Sequence, residues 1–193
     1  MARGFVRIIG GVARSRRLHI PSRVRIRPTS DRIKESLFDI IKLYVEDSIV
    51  LDLFAGLGNL GIEALSRGAK RATFVEKEIR CVRVIEENLL KLGFQERGEI
   101  VKMDCLSAIS WFGRQSRRFS LIFLDPPYCK GLICKSIHAI NERRIIEKGG
   151  CIVAQHSFRE SVPDRCGSLV LWDQRAYGET RLSLYGVEER PFI

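Results

Sequence analysis

Ser48-Ile49-Val50-Leu51-Asp52-Leu53-Phe54-Ala55-Gly56-Leu57-Gly58-Asn59-Leu60-Gly61 is the stretch on which the reading of this chain turns. Residues 48–54 read as a strand, Gly56, Gly58 and Gly61 follow in GxGxxG spacing, and residues 59–67 take helical periodicity. A strand, a glycine turn and a helix N-terminus in that order bring a ligand close against backbone N–H groups. By itself such a loop serves a nicotinamide dinucleotide as well as other ligands. Asp52 decides between them, because it ends the strand just ahead of the glycines, where a pyrophosphate would be repelled. A ligand with a cationic ammonium and a sulfonium, S-adenosylmethionine, is attracted there instead. The plainer role for the same carboxylate is a strand-end cap.

Working outward, the alternation continues as a strand at 72–76, a helix at 80–92 closed by Gly93, a strand at 99–103 and a helix at 106–112. A strand at 119–124, a helix at 132–145, a stop at Gly149-Gly150 and a strand at 151–155 follow. This rhythm predicts an α/β fold with a parallel sheet covered on both faces. Residues 168–172 and 180–185 are strand-like with no helix between them, which predicts an antiparallel hairpin at one sheet edge. Upstream, Ile33, Leu37, Ile40, Ile41 and Tyr44 share a helical face behind the capping side chains of Thr29-Ser30-Asp31. Ligands of open parallel sheets bind at the carboxyl ends of strands. Glu76, in that position on the second strand, can accept from both ribose hydroxyls of a nucleoside cofactor. Asp104, ending the third, can accept from an adenine amino group whose ring Leu106 faces. A solvated strand end and a helix N-cap are the plainer roles for these two acids.

Composition places the chain among ordinary globular proteins: 193 residues, 45% hydrophobic and 29% charged, enough for one domain with its own core. Six scattered cysteines with no CxxC pair read as reduced thiols without a metal site. Phe5 to Ala13 is interrupted by Arg7 and two glycines, so it is no signal peptide, and no apolar run reaches the ~18 residues of a membrane helix. A soluble cytoplasmic protein is expected. Net charge is +10, and residues 1–27 supply +8 of it through Arg3, Arg7, Arg14, Arg16, Arg17, Arg23, Arg25 and Arg27, with no acid among them. Arginine forks match phosphate oxygens and stack on bases, so the expected partner is nucleic acid. A solvated basic tail would carry the same charges, but apolar and polar residues alternate around Gly10-Gly11, which predicts a hairpin. The expected division is a basic hairpin arm at 1–28 and the α/β domain at 29–193.

Leu121-Ile122-Phe123-Leu124 runs into Asp125-Pro126-Pro127-Tyr128. Two prolines and an aromatic behind a strand-end acid build a stiff turn, which suits work on a planar exocyclic amine. Asp125 and the Pro126 carbonyl can accept the two amine hydrogens, and proline brings no competing N–H. Tyr128 supplies a face on which an extruded base can stack. As a methyl group arrives the nitrogen becomes cationic, and the Asp125 carboxylate stabilises that charge and receives the proton.

At these residues the chain resembles the RsmD-type methyltransferases, which methylate a guanine N2 of small-subunit ribosomal RNA and are named for guanine 966 of 16S rRNA. The likeness runs from about Val6 to Tyr185. It includes Arg7-Ile8-Ile9-Gly10-Gly11, Arg27-Pro28-Thr29-Ser30-Asp31-Arg32, Leu51-Asp52-Leu53-Phe54-Ala55-Gly56, Glu63-Ala64-Leu65-Ser66-Arg67-Gly68-Ala69, Phe74-Val75-Glu76, Asp125-Pro126-Pro127-Tyr128, and Tyr177-Gly178 with Thr180. The resemblance implies a Rossmann-like, seven-stranded class I methyltransferase sheet with an N-terminal β-hairpin and helix extension over the site. It implies S-adenosylmethionine as cofactor, held by Asp52, Phe54, Ala55, Gly56, Gly58, Glu76, Asp104 and Leu106. Asp125, Pro126 and Tyr128 would be catalytic. Ribosomal RNA or a small-subunit particle would be the partner, met by Arg14, Arg16, Arg17, Arg27, Thr29, Ser30 and Arg32. Three departures stand out: Leu57 where the family has serine, Ser15 where it has glycine, and Gln155 where an acid is common. The alternatives are a DNA adenine-N6 methyltransferase, against which stands the lack of a long insertion for target recognition, a nicotinamide-dependent oxidoreductase, and a basic RNA-binding module without catalysis.

Overall fold

The computed structural model describes residues 6–20 and 31–188. Eight strands form one sheet in the order β3-β2-β1-β4-β5-β8-β7-β6. The central strands β1 (Ile49–Asp52), β2 (Arg71–Val75), β3 (Gly98–Val101), β4 (Phe119–Leu124) and β5 (Ile146–Ser157) pair in parallel. Antiparallel β8 (Thr180–Val187) lies beside β5, and β7 (Leu169–Tyr177) beside β8. The expected Rossmann-like architecture is therefore present, with one strand more than the seven expected. The extra strand, β6 (Arg165–Cys166), pairs only with the start of β7 and is too short to leave an alternation pattern in the sequence.

Two other expectations shift for local reasons. Gly149-Gly150, read as a stop, lies inside β5: Gly149 has φ +80°, and the β4–β5 pairing changes register between Phe119 and Leu121, so the glycines absorb extra residues and the strand goes on. The helix expected to carry Tyr44 ends earlier, as α1 (Asp31–Ile40), and a separate 3₁₀ turn (Lys42–Tyr44) places the tyrosine.

Alternation along the strands feeds two cores. Val50, Phe74, Phe123, Val153 and Leu182 face α1, α2 (Asn59–Ser66) and α3 (Ile79–Leu92), whereas Leu51, Val75, Ile122, Ile152 and Tyr185 face α4 (Cys105–Arg114) and α5 (Leu132–Arg143). The arm belongs to the first core. Val6, Ile8, Ala13 and Leu18 are buried in it, and an antiparallel bridge joins Arg7 to Arg17. Ser15, where the family has glycine, takes φ +68°, the left-handed region, and its N–H reaches the Ile8 carbonyl at 2.8 Å. Connections leave β1 and β4 toward opposite sides of the sheet, so a crevice opens at their carboxyl ends.

Candidate active site

At the end of β1, Asp52 turns inward and is 2% exposed, with Oδ2 accepting the Gly61 N–H at 3.0 Å. Burial pushes its pKa up to about 7; the Gly61 and Phe54 N–H groups pull it down, and the Asp125 and Glu76 carboxylates add repulsion. Glu76 clasps the same loop from β2: Oε2 accepts the Gly56 N–H at 2.9 Å and Oε1 the Glu78 N–H at 2.9 Å. The three glycines do different things. Gly56, at φ +55°, faces open space, with no described atom within 4 Å of where a Cβ would stand. Gly58, at φ +79°, is the left-handed cap of α2, and a Cβ there would press Ile62 at 3.0 Å and Phe74 at 3.3 Å. A Cβ on Gly61 would sit 2.3 Å from the Phe74 ring, so this glycine is what lets α2 approach β2. Ala55 ties the loop to β2 through the Val75 carbonyl at 3.1 Å and accepts from the Gly58 N–H at 2.7 Å. Phe54 is half-buried, and Leu57, the departure from serine, is buried.

Asp104 takes the plainer of its two roles in full view: it caps α4, with Oδ1 accepting from the Leu106 and Ser107 N–H groups at 3.1 and 3.0 Å. The Ser107 side chain, and then these backbone donors, hold its carboxyl below the ordinary carboxylate range. Leu106 is half-buried against the α4–α5 core. An open cradle at Gly56, with three carboxylates whose repulsion a cation relieves, fits the ammonium and sulfonium of S-adenosylmethionine and opposes a pyrophosphate.

The Asp125–Tyr128 turn leaves β4 beside this loop. Asp125 is half-buried and Pro126 buried, and Tyr128 is half-buried with its hydroxyl 3.2 Å from Thr180 Oγ1 at the start of β8. Gln155 Nε2 donates to Asp125 Oδ1 at 3.0 Å. The departure from the family's acid thus has a defined place: a neutral amide holds the carboxylate, where an acid would repel it. Sequence reasoning flagged Gln155 but missed this contact, since the two residues meet only when β4 and β5 pair.

A second site missed by sequence reading lies under the arm. Glu63, fully buried, accepts from the Ile9 and Gly10 N–H groups at 2.9 and 2.8 Å, and pairs with Lys34 at 3.2 Å and Arg67 at 2.8 Å. Lys34 is also buried, and it donates to the Arg7 carbonyl at 2.6 Å and to Asn59 Oδ1 at 2.8 Å, linking α1, the arm and the start of α2. The arm's tip hangs from the far ends of the helices: the Val12 N–H reaches the Ser66 carbonyl at 2.8 Å, and Arg16 Nη2 the Lys91 carbonyl at 3.1 Å. Those helix ends lie toward the amino edge of the parallel strands, opposite Asp125. Arg14, Arg16 and Arg17 are exposed there, and the structure does not bring them together with the Asp125–Tyr128 turn. Arg32 is exposed on α1; Arg27, Thr29 and Ser30 lie outside the described residues. Among the described residues no group of three or more His, Cys, Asp or Glu side chains is placed to hold a metal, and no helix is long and apolar enough to cross a membrane.

Sheet order, glycine loop and the acid-led proline turn define a Rossmann-like, S-adenosylmethionine-dependent methyltransferase. The chain belongs to the family described as Conserved hypothetical protein 95, whose model matches residues 6–186. It is 34% identical over 180 residues to the Putative rRNA methyltransferase YlbH of Bacillus subtilis, covering 93% of this chain and 98% of that protein. To the Ribosomal RNA small subunit methyltransferase D of Escherichia coli it is 30% identical over 182 residues, covering 94% and 90%. The solved structure of the Putative methyltransferase yhhF from Escherichia coli superposes with a TM-score of 0.83 at 30% identity, over 97% of this chain and all of that one.

Proposed function

We propose that the protein transfers the methyl group of S-adenosylmethionine to the exocyclic N2 of a guanine in small-subunit ribosomal RNA, with guanine 966 of 16S rRNA as the first position to test. The observation that carries this reading is Asp125, fixed by Gln155 beside the carboxylate-lined glycine loop. The cofactor supplies an electrophilic methyl on a sulfonium. Asp52 and Gly56 would bind it by its ammonium and methionine portion, Glu76 by its ribose, and Leu106 with Asp104 Oδ2, the oxygen not engaged in the cap, by its adenine. Asp125 and the Pro126 carbonyl accept the two hydrogens of the target amine and draw its geometry toward tetrahedral, which frees the nitrogen lone pair for attack. A sulfonium bound there would give up its methyl to the nitrogen lone pair and keep the C–S bonding electrons as a neutral thioether; Asp125 would then take one proton from the cationic nitrogen and pass it to water. Tyr128, its hydroxyl held by Thr180, stacks on the extruded base. Support for ribosomal RNA comes from the names of the relatives and from the arginines of the arm. Guanine is favoured over adenine by Arg27 and Arg32, because guanine offers O6 and N7 acceptors to an arginine fork where adenine presents an amine. The test is to incubate the protein with labelled cofactor and, separately, undermethylated small ribosomal subunits and unmethylated plasmid, then digest to nucleosides. Label in N2-methylguanine from the subunits is expected; label in N6-methyladenine, or with DNA alone, overturns the assignment.

A further inference from the structure

A groove of about 480 Å³ opens between α1 and β7, lined by Ser36, Asp39, Ile40, Arg175 and Tyr177. Nothing in the methyl-transfer chemistry uses it, yet strand register ties it to the catalytic turn. Leu124 pairs with Ala154, so Asp125 stands level with Gln155; Gln155 pairs with Leu182, and Leu182 with Arg175. One step further toward the carboxyl edge, Ser157 pairs with Thr180 and Thr180 with Tyr177. Laterally paired residues share a sheet face, and this is the face covered by α1, where Leu182 and Tyr177 meet the core. Arg175 and Tyr177 are two strands from Gln155, about 10 Å at the usual inter-strand spacing. The groove thus lies to the side of the proposed target-amine site, on the same face of the sheet.

We infer that this groove is a subsite for the nucleotide next to the methylated one in a single-stranded nucleic acid, with Tyr177 stacking on its base, Arg175 meeting its phosphate and Asp39 reading its edge. The inference rests on the proposed function for which nucleotide is methylated, but its chemistry is its own. Tyr177 is half-buried, so its ring is held in place before a base arrives. Arg175 is oriented by its Nε bond to Asp173 Oδ2 at 2.9 Å, which directs the terminal nitrogens elsewhere. The Asp39 carboxylate is exposed and Ser36 half-buried, an acceptor and a hydroxyl at one wall. A carboxylate can accept from two neighbouring N–H donors at once; guanine offers N1–H beside N2–H, whereas adenine sets its amine beside an acceptor nitrogen, so guanine is preferred to adenine at this neighbouring position.

The test measures fluorescence anisotropy of short single-stranded RNAs, with guanosine or adenosine beside the target guanosine, against the parent, Tyr177→Leu, Tyr177→Phe, Arg175→Gln and Asp39→Asn. S-Adenosylhomocysteine affinity and the thermal midpoint are read on the same preparations. Tyr177→Leu is expected to weaken RNA binding about tenfold, within the range for loss of one base–aromatic stack. Tyr177→Phe restores it, Arg175→Gln weakens binding to either RNA, and Asp39→Asn loses the preference for guanosine. Cofactor affinity stays at the parental level throughout. Arg175, with half its side chain in solvent, guards against a Tyr177→Leu protein that fails to fold. Parental RNA affinity in the Arg175→Gln protein and in a folded Tyr177→Leu protein overturns the subsite. Because binding and not methyl transfer is read, a parent that methylates a different base brings down the guanine-N2 reading and leaves the subsite standing.

Discussion

Asp52 couples the cofactor loop to pH. Its ordinary pKa of 3.8 rises to about 7 in the folded protein. Between those values the native state holds a proton that the unfolded state has lost, so this residue's contribution to stability falls as pH rises through the interval. Asp52→Asn should therefore flatten the decline of the thermal midpoint between about pH 4 and pH 7 relative to the parent. A cationic ligand follows the opposite course, because it prefers the ionised carboxylate. Calorimetry should show the affinity for S-adenosylhomocysteine, through its ammonium, rising as pH passes about 7 in the parent, with the rise absent in Asp52→Asn; parallel profiles would remove Asp52 from the site. Asp125 plays a separable part. Asp125→Ala should keep S-adenosylhomocysteine binding and lose at least ~10² in methyl transfer, the scale of a positioned proton acceptor and charge stabiliser. Turnover close to the parent would move the chemistry elsewhere. Both carboxylates were legible in the sequence because each follows an apolar run and precedes a turn that only glycine or proline builds. The Gln155 contact to Asp125 was not, since strand pairing alone brings them within 3.0 Å.

The arm and α2 form a unit at the next scale up. Glu63 holds two backbone N–H groups of the arm and two cations at once, and its own helix is buried from Leu60 to Ser66. Removing it leaves Lys34 buried without a counter-charge, so Glu63→Ala should cost about 3 to 5 kcal/mol of stability in denaturant unfolding. Proteolysis should then reach the arm near Gly10-Gly11 first. A loss below about 1 kcal/mol would mean that water reaches Lys34 in place of the carboxylate. The arginines on this unit test the RNA reading. Replacing Arg14, Arg16 and Arg17 with alanine should flatten the dependence of log RNA affinity on log salt by about 2 to 3, from ~0.7 to 0.9 per phosphate contact. Their distance from Asp125 predicts unchanged nucleoside specificity alongside the weaker binding. An unchanged slope would return these side chains to solvent. Alternation around Gly10-Gly11 announced the hairpin, and the eight arginines drew attention to its charge. Lys34 gave no such signal: a lysine beside Ile33 on an amphipathic helix reads as solvated until Glu63, far along the chain, is packed against it.

For the whole molecule, strand and helix alternation was enough to recover the sheet's parallel half, because buried parallel strands are continuous apolar runs with a helix after each. The carboxyl-terminal half was legible as an antiparallel hairpin at one end of the sheet, but not in the order of its strands. β8 lies between β5 and β7, so the last strand described is an interior one. That placement sets a rule for the chain as it is being made. Synthesis delivers β1 to β5 first, and until β8 emerges β5 presents a bare edge of backbone donors and acceptors that other chains can pair with. Thr180, which steadies Tyr128, arrives with the same strand. A polypeptide cut before Leu169 should accordingly be recovered as aggregate rather than as a weakly active enzyme, as sedimentation of the truncated and full chains would show. An enzyme whose proposed substrate is the ribosome's own RNA is thus expected to stay inert while it threads through a ribosome, and to become competent only once β8 has cleared the tunnel.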